Sequence, residues 1–267
     1  MMKSPIFVGG SARSGTTLVR VILDSHPNIA CGPEIKIIPI IAEQWSTIRN
    51  SFAKPMMEYN LTPKDVDEIY NNMIRSFMEK YRIKQGKARM AEKSPNNVFY
   101  FQHLHYLFPE SPLIHVIRDG RDIICSLLQM KWVDPTTGQP IAYTREADKA
   151  ADYWVQAVMA GRRALNLPGL KDRYLEIRYE DIINKTEATL KRLFEFIDEP
   201  WDPVVLKFHE QKRNLAGESS ADQVSKPLYK KAVARWQTDL KEEDKPVIKK
   251  IAGPLLIELG YTPDDNW

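Results

Sequence analysis

Short apolar runs alternate along the chain with stretches whose apolar residues recur every three or four positions. Ile6 to Val8, Ile29 to Gly32, Leu113 to Ile117 and Arg173 to Ile177 have the length and content of short strands bounded by turn residues. Between them the period changes. Leu18, Val21 and Ile22 form the inward stripe of one helix, and Val66, Ile69, Tyr70, Met73, Phe77 and Tyr81 that of a second. Thr62 and Pro63 supply the second helix with an N-cap and a first-turn proline. Further helices are expected over Val98 to Phe108, from Ile123 through Met130, over Ala147 to Leu165, Glu187 to Ile197, Asp202 to His209, and Lys245 to Leu259 ended by Gly260. Ile37 to Tyr59 is mixed helix and loop. Strands alternating with helical crossovers predict a parallel sheet with right-handed connections.

Gln211 to Tyr229 breaks the pattern, being nearly bare of apolar residues. A loop of that length inside a compact fold is expected to be functional or disordered. No linker, internal repeat or low-complexity tract interrupts the rest, so residues 1–267 are expected to form a single domain.

Composition narrows the function classes. A formal charge of +3 leaves no basic footprint for nucleic acid. Two cysteines, Cys31 and Cys125, in so long a chain suggest thiols in a reducing compartment. The first strand follows almost directly on Met1, and no stretch approaches the roughly 18 apolar residues of a membrane span. The expectation is a soluble cytoplasmic protein without membrane contact.

The chemistry starts at Pro5 to Asp24. Ile6 to Val8 as strand, Gly9-Gly10-Ser11-Ala12-Arg13-Ser14-Gly15 as tight loop and Thr16 onward as helix make a nest of backbone N–H groups at a positive helix end. Phosphate or sulfate is the expected occupant. Gly10, four residues, Gly15, Thr16 and Thr17 approach the Walker A spacing, but the lysine that should follow Gly15 is absent and the cation is Arg13. The loop therefore suits a phosphate ester without a metal-bound triphosphate. The expected fold class is α/β, a P-loop-like core with a central parallel sheet flanked by helices.

Three other places carry candidate chemistry. Glu34 follows the second strand, where open α/β sheets place ligand groups. Lys93 precedes the helix start Ser94-Pro95, a position where a cation opposes the dipole and an anionic neighbour is expected. Arg118 leaves the Leu113 to Ile117 strand, with Ser126 about two turns beyond; a guanidinium and a hydroxyl suit a second phosphate.

Taken together, Arg13-Ser14-Gly15-Thr16-Thr17-Leu18, Cys31-Gly32-Pro33-Glu34, Lys93-Ser94-Pro95, Val116 to Arg121, Arg178-Tyr179-Glu180-Asp181, Ser220 to Pro227 and Arg235-Trp236 resemble the sulfotransferases that use 3′-phosphoadenosine 5′-phosphosulfate (PAPS). Among these, the tyrosylprotein sulfotransferases are most similar. The resemblance implies that Arg13, Ser14, Gly15, Thr16 and Thr17 hold the 5′-phosphosulfate, and Arg118 with Ser126 the 3′-phosphate. It implies further that Tyr179 and the Ser220 to Tyr229 loop, with Lys226, close on the nucleotide, and that Arg235 stands where the family has a lysine. Glu34 matches the catalytic base; Lys93, Ser220 and Arg13 match the groups that stabilise the transition state. No metal is needed, because a sulfuryl group carries less charge than a γ-phosphoryl and fixed cations can serve. A protein or peptide tyrosine is the implied acceptor, with a small hydroxyl compound or a carbohydrate as the alternative; a homodimer is compatible with the resemblance.

Departures from the family pattern accompany the matches. Pro33 replaces a second glutamate, and of the basic residues after the base Lys36 is kept while Ile40 is not. Ala91 replaces a cysteine, leaving Cys31 without that partner. Met130 replaces an arginine, with Lys131 beside it as a substitute. Two other classes fit parts of the sequence: a nucleotide kinase on the same loop, which would need the missing lysine and a magnesium-binding aspartate, and a catalytically silent nucleotide- or carbohydrate-binding module.

Overall fold

The computed structural model describes residues 3–213, 215, 217–228 and 230–267. Five strands form one parallel sheet: β1 (Ile6–Gly10), β2 (Ile29–Cys31), β3 (Arg89–Lys93), β4 (Leu113–Ile117) and β5 (Tyr174–Arg178), in the order β2-β3-β1-β4-β5. The chain leaves β1 toward β2 and β3 on one side and later returns to build β4 and β5 on the other. That reversal puts the crevice for ligands above the carboxyl end of β1.

Between the strands run α1 (Thr16–Ser25), α2 (Ile37–Ser51), α3 (Ala53–Glu58), α4 (Pro63–Gln85), α5 (Phe101–Leu107), α6 (Gly120–Leu128), α7 (Ala147–Arg163), α8 (Tyr179–Asn184), α9 (Thr186–Phe196), α10 (Ala221–Val224), α11 (Trp236–Asp239) and α12 (Lys245–Glu258). Pleating sends alternate residues of β1 to opposite faces: Ile6 and Val8 pack with α1, α8 and α9, and Phe7 with α2, α4 and α5. Buried on both faces, β1 and β4 need apolar residues throughout, which is why they stand out in the sequence.

Three sequence expectations need correction. β3 has the sequence Arg-Met-Ala-Glu-Lys, and its charge conceals a fully buried strand. Each polar side chain finds a partner from elsewhere. Arg89 pairs with Glu199 at 3.1 Å, Glu92 accepts hydrogen bonds from Ser94 and Asn97 at 2.6 Å each, and Lys93 bonds Glu34. Lys93 is thus the last residue of a strand. Secondly, α4 has the expected N-cap Thr62 and first-turn Pro63, with Asp65 completing a capping box, but it buries Val66, Tyr70, Ile74 and Met78 while Ile69, Met73 and Phe77 face solvent. The buried row keeps Val66 and Tyr70 of the expected stripe and continues through Ile74 and Met78 in place of Met73 and Phe77. Thirdly, the helix expected over Val98 to Phe108 does start at Ser94-Pro95, but it is two pieces, a 3-10 segment over Pro95–Tyr100 that runs into α5.

Among the described residues no helix is long and apolar enough to cross a membrane. Cys31 and Cys125 are buried free thiols, the latter pushed up to about 12 by burial.

Candidate active site

The loop from β1 to α1 has a shape that only its own residues permit. A Cβ on Gly10 would stand 2.3 Å from the Val116 carbonyl oxygen, and one on Gly15 2.5 Å from Cδ2 of Tyr179. Gly15 has φ +102, and Arg13 also adopts the left-handed region at φ +71, where a non-glycine residue stores strain of the kind found at ligand clamps. Gly15 is the N-cap of α1, and no side chain caps that helix. Its first N–H groups and positive dipole end are therefore free for an anion. Ser14 Oγ is buried beside them without a hydrogen-bond partner among the described residues.

Lys93, at the end of β3, lies next to this loop because β3 pairs with β1. Its side chain is 1% exposed, and Nζ donates to Glu34 Oε2 at 2.6 Å. Thr17 Oγ1 and Glu218 Oε2 are each 3.5 Å from the same nitrogen. Lys36, left-handed at φ +57, starts α2 and brings its Nζ 3.9 Å from Glu34 Oε1. Glu34 is thus flanked by two cations.

A second group of cations stands at the end of β4. Arg118 is buried and stacks 4.5 Å over the ring of Tyr179; it donates to the carbonyls of Arg13 and Ala232, while its Nε has no hydrogen-bond partner among the described residues. Ser126 Oγ accepts from Arg13 Nε at 3.0 Å, and Arg13 Nη1 donates to Ser220 Oγ at 2.9 Å and to Ser219. One guanidinium therefore joins the phosphate loop, α6 and the 211–228 loop.

A cavity of about 620 Å³ opens above these groups, bordered by Arg13, Gly15, Thr16, Thr17, Glu34, Arg118, Tyr179 and Ser220. Its outer wall includes Lys36, Lys131, Trp132, Tyr143 and Tyr153. The Tyr153 hydroxyl accepts the Ala12 N–H at 3.1 Å and its ring stacks 4.2 Å from that of Tyr143, tying this wall to the phosphate loop. Lys131, expected as the substitute at Met130, borders the cavity in a left-handed conformation.

Some expected residues stand elsewhere. Lys226 is exposed and does not border the cavity. Arg235 is turned away from it, its Nε donating to Asp239 at 2.8 Å and its Nη2 to Gln129 at 3.0 Å. With a carboxylate one helical turn along, that guanidinium is already neutralised. Tyr229, the far end of the expected closing loop, lies outside the described residues, as do Asn214 and Ala216 earlier in the Gln211 to Tyr229 stretch. Sequence reasoning missed Arg20 and Glu218, whose Nε and Oε1 lie 2.7 Å apart with side chains 1% and 3% exposed. A charge inside the apolar run Leu18-Val19-Arg20-Val21-Ile22-Leu23 was the available signal. Among the described residues no cluster of His, Cys, Asp and Glu could hold a metal ion.

Comparisons with known proteins agree with this geometry. Protein-tyrosine sulfotransferase A of Caenorhabditis elegans is 33% identical over 98% of the chain and 68% of its own length. The sulfotransferase domain of the Synechococcus PCC 7002 olefin synthase superposes with a TM-score of 0.61 at 22% identity, covering 94% of this chain and 95% of that one. A mouse sulfotransferase complexed with PAP has a TM-score of 0.55 at 14% identity, covering 96% of this chain and 88% of its own. Residues 5–203 match the model of the sulfotransferase family. With an uncapped helix end, a lysine–carboxylate pair beside it and an arginine on the neighbouring strand, the chain belongs to the sulfotransferase family.

Proposed function

We propose that the protein transfers the sulfuryl group of PAPS to a hydroxyl, and that the acceptor is a tyrosine of a protein or peptide. The observation that carries this is the 2.6 Å Lys93–Glu34 contact, which sets an ammonium and a carboxylate side by side at the open end of α1. The residues fit the nucleotide. The N–H groups of the Arg13 to Thr17 loop and the orphaned Ser14 hydroxyl would hold its 5′ end, and Arg118, with an unused buried Nε, its 3′-phosphate. PAPS bound there would supply the sulfuryl group and carry off the negative charge of the leaving phosphate.

The chain's own residues account for the rest. Glu34 lies between Lys93 and Lys36, and its carboxylate can take the proton of an incoming hydroxyl. Lys93, Arg13 and Ser220 donate where charge collects, beside a cavity that Glu218, Ser219 and Ser220 help to line, and such preset donors need no reorganisation. Trp132, Tyr143 and Tyr153 offer a flat apolar wall suited to a phenol ring, and Lys36 with Lys131 stands at the mouth where an acidic flank would pass. The similarity to protein-tyrosine sulfotransferase A of Caenorhabditis elegans supports the same acceptor.

The test is transfer of labelled sulfate from PAPS onto matched acidic and neutral tyrosine peptides, a simple phenol and a sugar alcohol. The acidic peptide is expected to react fastest; a clear win for a small acceptor would leave the tyrosine reading without support. Glu34→Gln is expected to lower kcat by roughly 100- to 10,000-fold while PAP affinity stays within about threefold of the parent. A near-parent rate would make Glu34 a loop carboxylate.

A further inference from the structure

α1 carries more charge along one face than a helix under a sheet needs. Thr17, Arg20 and Asp24 follow one another at i, i+3 and i+7, so they line one side of the helix. The 211–228 loop lies along that side in the opposite direction. Arg213 donates from Nε to Asp24 Oδ2 at 3.0 Å and from Nη2 to Ser25 Oγ at 2.6 Å. Glu218 meets Arg20 at 2.7 Å and approaches Lys93 at 3.5 Å. Ser220 then reaches Arg13 at 2.9 Å, one step before the helix begins. Read from Asp24 back to Arg13, the helix is matched by Arg213, Glu218 and Ser220 in turn.

The two ionic contacts have opposite polarity: loop cation on helix anion at Asp24, loop anion on helix cation at Arg20. All four side chains are at most 9% exposed. A slip of the loop would set Glu218 against Asp24, or Arg213 against Arg20, in a buried place where like charges are costly. A buried ion pair adds little net stability, and its best-attested use is to fix register.

We propose that the Arg20–Glu218 pair is a register pin: it fixes the 211–228 loop on α1 so that Ser220 meets Arg13, making Glu218 a positioning residue for nucleotide binding. This rests on the PAPS reading above. Glu218 acts through Ser220; its second oxygen lies 3.5 Å from the Lys93 ammonium.

The test is a double-mutant cycle read by calorimetry with PAP as the probe, on the whole chain. Ser220→Ala and Glu218→Gln are each expected to weaken PAP binding by about tenfold, the first by removing the Arg13–Ser220 hydrogen bond and the second by removing the ion pair that places it. The double variant is expected to lose about tenfold as well, since Glu218 has nothing left to position. Glu218→Asp, which keeps the charge, is expected to restore most of the affinity. Arg20→Lys keeps the buried charge and serves where Glu218→Gln does not fold; it too must be non-additive with Ser220→Ala. Losses that multiply to about a hundredfold, or a lowered Tm with unchanged PAP affinity, would overturn the pin. A parent chain that binds no PAP overturns the nucleotide reading, and the pin's role with it; a parent that binds with additive losses overturns the pin alone.

Discussion

The β1–α1 and β4–α6 units share one plan and put it to opposite uses. Both are short buried strands entering a helix through a polar loop at the carboxyl edge of the sheet, side by side. At α1 the cap is a left-handed glycine, no side chain turns inward, and the helix end is open. At α6 the cap is Asp119, whose Oδ1 accepts the Arg121 N–H at 2.9 Å, while the Arg121 side chain grips both carboxylate oxygens. Glu180 takes the Asp119 N–H at 2.9 Å. That end is filled by its own chain, so α6 offers no backbone nest; any anion beside it must be met by Arg118 from the strand end. Strand–loop–helix is thus a frame, and the cap residue decides whether it receives a ligand.

Filling or emptying either end tests the contrast. The largest effect is expected from Asp119→Ala, which removes a cap and leaves the buried Arg121 guanidinium without its carboxylate. Stability should fall by roughly 2 to 4 kcal/mol, read by denaturant titration, with PAP affinity of the folded protein within about threefold. A large loss of affinity would mean that α6 also receives the nucleotide through its end.

Gly15→Ala attacks the open end. The added methyl meets Tyr179 and demands a backbone angle that costs on the order of 1 to 3 kcal/mol, so PAP binding should weaken about tenfold to a hundredfold by calorimetry. Unchanged affinity would show that the loop N–H groups do not hold the anion.

The smallest effect separates the strands on either side of β1. Glu92 on β3 is raised to about 7, burial outweighing the hydrogen bonds from Asn97 and Ser94, and His115 on β4 is lowered to about 4 by burial. The folded state holds the Glu92 proton more tightly than the unfolded chain, so its contribution is full below the ordinary glutamate range and is lost as pH rises toward 7. His115 is the reverse, since the unfolded chain binds its proton more tightly between about pH 4 and 6.5. The two slopes oppose each other. Glu92→Gln should make stability climb more steeply than the parent's from pH 5 to 6.5, and His115→Gln should make it fall, each by up to about 1 kcal/mol per pH unit. Parallel curves for parent and variants would mean that neither group titrates in that window.

The legible parts of the site are those carried by contiguous residues. The phosphate loop could be seen because strand, glycines and helix follow one another within twenty residues, and Arg118 because β4 is apolar but for His115. β3 was hidden for the opposite reason: Arg89, Glu92 and Lys93 look solvent-facing until Glu199, Asn97 and Glu34 are brought beside them. The α4 stripe was misplaced in part because Ile69, Met73 and Phe77 are as apolar as the residues that face the core. Arg235 was expected at the nucleotide; in the fold it pairs with Asp239, one turn further along, and does not border the cavity.

By itself, then, the sequence determined four of the five strands and most of the helices, the glycine-rich loop ending at Gly15 and the residue types available for anion binding, all set by steric and hydrogen-bonding rules that act over a few neighbours. Tertiary structure alone decided which distant charges meet: Lys93 with Glu34 across 59 positions, and Arg20 with Glu218 between α1 and a loop near the other end of the chain. The physical reason is desolvation. A charged side chain is buried only where an opposite charge or hydrogen-bonding group is already waiting, and that partner is supplied by the folded chain rather than by its neighbours in sequence.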